Sequence, residues 1–183
     1  MLAWYGLRYA RRRLGPTYSA LSMSTDQYFR AGVGMLIVDS AGRLLAGQRV
    51  DHAETWQPPQ GGILRGEEPI DAARRELSEE FGISWSDVNV LAQHPEWLAY
   101  ELPAEARSEK TGRGQVQRWF LLSFEGSPDA IEVASGPEQE FSRWIWTTTA
   151  GLLEHSWEVK QSIYRRLLSM WSSHLEPTQR AGD

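Results

Sequence analysis

Residues 61–83, GGILRGEEPIDAARRELSEEFGI, constrain the chain more than any other stretch, because they read as a helix that carries two different faces. Pro69 suits the first helical position, where a missing N–H costs nothing, and Gly82 suits the position just past the end, where a positive φ is needed. Between them Ile70, Ala73, Leu77 and Phe81 recur at helical spacing and predict a stripe turned toward a core. Glu76, Glu79 and Glu80, at i, i+3 and i+4, project from another face, where like charges repel by about 0.2–0.5 kcal/mol per pair. Such a face needs a positive partner. A hard divalent cation, Mg²⁺ foremost, suits the cluster, because it prefers carboxylates, water and substrate phosphates as ligands.

The same segment fills every fixed position of the pattern G-x5-E-x7-R-E-U-x-E-E-x-G-U, with U an aliphatic residue, through Gly61, Glu67, Arg75, Glu76, Leu77, Glu79, Glu80, Gly82 and Ile83. A run of acids is ordinarily a solvated helix face. Nine agreements at fixed spacing argue for more, and on them the chain resembles the Nudix hydrolases. The resemblance implies an α/β fold, a Nudix-type α/β/α sandwich with a mixed sheet and a loop–helix–loop catalytic motif. It also implies Mg²⁺ or Mn²⁺ as cofactor and hydrolysis of a diphosphate linked to a nucleoside or another group. By resemblance Glu76, Glu79 and Glu80 are metal ligands, with Glu79 or Glu80 close to the nucleophilic water. Arg75 then orients carboxylates rather than touching substrate, Glu67 pairs with it, and the backbone at Gly61 approaches the metal.

Four further stretches, WQPPQGG at 56–62, EWLAYELP at 96–103, RGQVQRWF at 113–120 and EFSRWIW at 140–146, resemble the RNA pyrophosphohydrolase and diadenosine tetraphosphate hydrolase branch of that family. In that branch a downstream glutamate supplements the metal site, and Glu140 matches it. Arg49 matches a phosphate-contacting arginine, Lys160 a lysine of the last helix, and Tyr100 lies in a segment that lines the site. Just before Lys160 the branch carries an aromatic residue that stacks on a base, whereas this chain has Val159. The nine tryptophans otherwise read as packing, with Trp56 and Trp144 as scaffold. The expected substrates are dinucleoside polyphosphates or 5′-triphosphorylated RNA ends. Nucleotide sugars and guanosine polyphosphates are alternatives, and so is a nucleotide-binding module that has lost catalysis, although every carboxylate of the motif is present.

The remaining sequence bounds these readings. A length of 183 residues suits one domain, expected over 25–175, between a basic extension at 1–24 and a tail at 176–183. The absence of cysteine removes disulfides and thiolate chemistry and fits a reducing compartment such as the cytoplasm. Residues 1–24 carry Arg8, Arg11, Arg12 and Arg13 with no acid before Asp26, which is the composition of a disordered tail or of a plastid or mitochondrial transit peptide. A net charge of −5 argues against an extended nucleic-acid surface, and no apolar run approaches the roughly 20 residues that span a bilayer. The sequence sets no oligomeric state. Along the chain, 31–38 and 43–49 predict a hairpin, 88–102 short strands, 104–114 an exposed loop, 116–124 and 141–147 strands, and 157–171 a helix.

Overall fold

The computed structural model describes residues 28–135 and 139–175. The segments at 1–24 and 176–183, read above as an extension and a tail, lie outside the described residues. The first strand, β1 (Phe29–Val38), turns through Asp39, whose carboxylate accepts hydrogen bonds from the Ala41 and Arg43 amides at 3.0 and 2.8 Å, into β2 (Leu44–Arg49). The expected hairpin forms, but the strands meet at the turn, with Val38 opposite Leu44, and then part. The far half of β1 takes β4 (Gln60–Gly62) as its neighbour, while β2 takes β3 (Trp56–Gln57) on one side and β8 (Phe141–Thr147) on the other. This divergence is what makes room for a site at one end of the sheet.

On its other edge β1 runs parallel to β7 (Gly114–Phe124), in register from Phe29 opposite Gly114 to Val38 opposite Ser123. A parallel pair needs a crossover, and the helix α1 (Pro69–Phe81) lies in it. Antiparallel β5 (Val88–Gln93) and β6 (Leu98–Glu101) complete the sheet along β7. Side chains alternate across the sheet with period 2, so each strand feeds two cores. Val33, Met35, Ile37, Phe120 and Leu122 pack with Ala72, Ala73, Leu77 and Phe81 of α1. Leu36, Val38, Trp119 and Leu121 pack on the opposite face with Ile163, Tyr164 and Leu167 of α3 (Glu158–Met170), which follows the short α2 (Thr149–His155). The result is the expected α/β/α sandwich around a mixed sheet.

Helix α1 starts with Pro69 as its first residue and is closed by Gly82, whose φ of 63° lets its N–H donate to Ser78 O at 3.1 Å. Three features differ from the sequence reading. Neither β3, β4 nor α2 was expected; the strands are only two and three residues long around Pro58–Pro59, and α2 is announced only by the Thr148 cap, whose hydroxyl accepts from Gly151 N–H at 3.0 Å. The stretch 104–114 is not simply an exposed loop: it begins with a turn at Ala104–Ala106, Arg107 donates to Leu102 O at 2.8 Å, and Gly112 is buried. Val159 packs against the α3-side core, and the exposed aromatic at this end of the helix is Trp157. Among the described residues no helix is long and apolar enough to cross a membrane.

Candidate active site

Arg75 organises the acidic face of α1. Its Nε and Nη2 donate to the two oxygens of Glu67, both at 2.9 Å, and Nη2 also donates to Gly62 O at 2.8 Å. Nη1 donates to Glu76 at 2.8 Å and to Glu79 at 3.0 Å. All five guanidinium N–H groups are thereby used within the protein, so Arg75 has none left for a substrate. The resemblance implies that Arg75 orients carboxylates, and in the structure it contacts three of them, Glu67, Glu76 and Glu79. Glu67, which also accepts from Leu64 N–H at 2.8 Å, ties the loop before the helix to the helix, and the guanidinium holds its carboxyl below the usual range.

Strand β4 brings Gly61 against Glu76. A Cβ at Gly61 would stand 1.9 Å from the Glu76 carboxylate carbon, so no side chain fits there. Glu80 lies at the border of the apolar stripe rather than apart from it: it is 7% exposed, with one oxygen accepting from Gln60 N–H at 3.1 Å and the other, Oε1, without a hydrogen-bond partner. Burial pushes its pKa well up, and the nearby Glu140 and Glu76 add to the effect. Burial also raises Glu76, against the pull of Arg75. Glu140, at the mouth of β8, joins Glu76, Glu79 and Glu80 in lining one cavity of about 610 Å³. Four carboxylates from α1 and the start of β8 thus share a space although some sixty residues separate the two elements.

The expected substrate contacts are placed around this cavity rather than in it. Arg49, at the end of β2, is gripped by Asp51 through paired contacts of 2.6 and 2.7 Å and reaches Glu140 at 3.5 Å. Lys160 and Tyr100 belong to the α3 side of the sheet and are 5% and 6% exposed. The Lys160 ammonium donates to Gln57 Oε1 at 2.9 Å and sits 5.7 Å from the centre of the Tyr100 ring. Burial and the charge of Arg49 lower Lys160 to about 7, partly opposed by Glu140 and Glu80. Tyr100 is raised by burial, opposed by a hydrogen bond with the Gln60 side chain. Gln57, Gln60 and Asp51, which hold these groups, were not singled out in the sequence; short amides and one more surface carboxylate leave no periodic or spacing signal.

A divalent cation fits the cavity. The donors are hard oxygens, Glu80 Oε1 is a buried acceptor with nothing to accept, and the missing side chain at Gly61 makes the room that the Glu76 carboxylate occupies. Among the described residues no three His, Asp or Glu side chains already converge as a tight cage, and the contacts of Glu76 and Glu79 with Arg75 show where those carboxylates are held instead.

The family described as NUDIX domain matches residues 28–167. Nudix hydrolase 26, chloroplastic, of Arabidopsis thaliana is 35% identical over 161 residues, covering 84% of this chain and 74% of that protein. The RNA pyrophosphohydrolases of Coxiella burnetii and Roseobacter denitrificans are 40% and 37% identical over 151 residues, covering 80% of this chain and 66% and 94% of those proteins. Among solved structures, a C. elegans Ap4A hydrolase binary complex superposes with a TM-score of 0.60 at 20% identity, over 79% of this chain and 98% of that one. The E. coli dihydroneopterin triphosphate pyrophosphohydrolase does so at 0.62 and 19%, over 78% and 99%. These two show a shared fold.

Proposed function

The chain belongs to the Nudix family, and from that premise we propose that it uses water to cleave a phosphoanhydride in a dinucleoside polyphosphate or at the 5′ end of triphosphorylated RNA. The single observation that carries this reading is the cavity shared by Glu76, Glu79, Glu80 and Glu140, with Arg75 fully engaged beneath it. The similar proteins named RNA pyrophosphohydrolase and Ap4A hydrolase support the choice of substrate class.

Mg²⁺ or Mn²⁺, held by Glu76, Glu79, Glu80 and Glu140 with the backbone at Gly61, would neutralise phosphate charge and lower the pKa of water. The residues of the chain do the rest. Arg75 fixes Glu76 and Glu79 against their mutual repulsion, and Glu67 fixes Arg75. Glu79 or Glu80 takes the proton of the attacking water: the first is the more exposed of the two, and burial pushes the pKa of the second up. Arg49, in contact with Glu140, and Lys160, whose charge acts on Glu80, supply positive charge toward the polyphosphate. As water adds to one phosphorus, the bridging oxygen leaves with the other phosphate. Diadenosine tetraphosphate then gives a mono- and a triphosphate, and an RNA triphosphate end gives a monophosphate end and pyrophosphate.

The direct test is a panel assay of the protein in Mg²⁺ with diadenosine tetraphosphate, triphosphorylated RNA and a nucleotide sugar, products being separated by chromatography. Turnover of either of the first two, well above that of the sugar, is expected. Exclusive turnover of the sugar, or none of any, would contradict the substrate reading.

A further inference from the structure

Nothing so far gives Asp51 a part in the reaction, yet its carboxylate makes the tightest contact that Arg49 has. Oδ1 accepts from Nε at 2.6 Å and Oδ2 from Nη2 at 2.7 Å, a planar two-point match that fixes the guanidinium in direction as well as position. The pairing raises Arg49 and lowers Asp51, as an ion pair must. The carboxylate is itself held by the chain. Arg49 N–H donates to Thr55 O at 3.0 Å, Thr55 N–H to His52 O at 2.7 Å, and Val50 N–H to Glu140 O at 3.0 Å, so the loop after β2 is closed at its base and pinned to the start of β8.

Asp51 takes the edge of the guanidinium formed by Nε and Nη2. Nη1 remains, directed at Glu140 across a long 3.5 Å contact. Those three contacts leave two of the five N–H groups of Arg49 without an acceptor among the described residues. We propose that Asp51 is a positioning residue: it holds Arg49 by one edge, keeps it from closing onto Glu140, and presents the opposite edge to a phosphate of the substrate. This rests on the reading of the cavity as a polyphosphate site. A flexible arginine loses rotamer freedom each time it binds an anion, whereas one already fixed does not. Without Asp51 the nearest remaining acceptor is Glu140, and a collapse onto it would tie up the cation and the fourth carboxylate together.

The test is a double-mutant cycle on the full chain, with Asp51→Ala, Arg49→Ala and the pair. It is read by calorimetric binding of inorganic triphosphate in excess Mg²⁺ and by KM and kcat for the best substrate of the panel. Asp51→Ala is expected to weaken triphosphate binding by about fivefold or more and to raise KM more than it lowers kcat, and to do nothing further once Arg49 is alanine. Asp51→Asn, which keeps one acceptor, should fall between. Unchanged binding, tighter binding, or an equal loss with and without Arg49 would overturn the proposal. Because triphosphate binding is read apart from turnover, an inactive protein would retract the reaction while still reporting on Asp51.

Discussion

At Gly61 a single methyl group decides whether the acidic face can work. A Cβ there would overlap the Glu76 carboxylate at 1.9 Å from its carbon, and Glu76 has to swing away from Arg75 to admit it. Gly61→Ala is expected to raise the Mg²⁺ concentration for half-maximal activity at least about tenfold, as loss of a properly placed ligand does, with little change in thermal midpoint. A metal titration that overlays the wild type would show that Glu76 is not held for a cation. Glu140→Ala should shift the same titration in the same direction, because it deletes an anionic ligand. If its Mg²⁺ dependence is unaltered, Glu140 serves Arg49 alone. At this scale the sequence was informative about residue type and silent about burial. The motif residues were recognisable by spacing, but that Lys160 and Tyr100 are almost wholly enclosed, or that Val159 turns inward, depends on how α3 packs on the sheet. No local pattern records that.

Helix α1 is the element on which sequence and structure agree most closely, since Pro69 and Gly82 are local signals with local mechanisms. Gly82→Ala places a side chain at φ 63°, and should cost about 1 kcal/mol in urea unfolding with the metal dependence of activity kept. No loss of stability would mean that the C-terminus of the helix refolds around the change. Strands β7 and β8 were also legible, by composition and by alternation, whereas β3, β4 and α2 are too short to build a period and are held by neighbours distant in sequence. Helix α3 has a pH dependence that only the fold reveals. Lys160 titrates near 7 in the folded chain and near its ordinary value when unfolded, so from pH 7 to about 10 the unfolded chain binds the extra proton. Stability must therefore rise with pH across that window, and the penalty of burying the ammonium is fully present below pH 7. The gain should amount to about 2 kcal/mol between pH 7 and 9 and should vanish in Lys160→Met, measured as the difference in unfolding free energy between the two proteins. Equal pH profiles would place the ammonium in water.

For the whole molecule, the decisive feature is that β1 and β2 begin together and then separate, so that β4, carrying Gly61, and β8, preceded by Glu140, come to the same end of the sheet as α1. The acidic balance of the chain, −5 overall, sets it against polyanions in general. Under the proposed function, polyphosphate recognition would therefore rest on a cation among the glutamates and on Arg49 and Lys160. The measurement that bears most directly on this account is kcat against Mg²⁺ concentration for the wild type, Glu79→Gln and Glu80→Gln, on diadenosine tetraphosphate and triphosphorylated RNA. Saturable activation is expected in the wild type, abolished by a chelator, with kcat at least about a hundredfold lower in each variant and the thermal midpoints close to wild type. Turnover that needs no divalent cation, or that survives undiminished in either variant at saturating Mg²⁺, would contradict it.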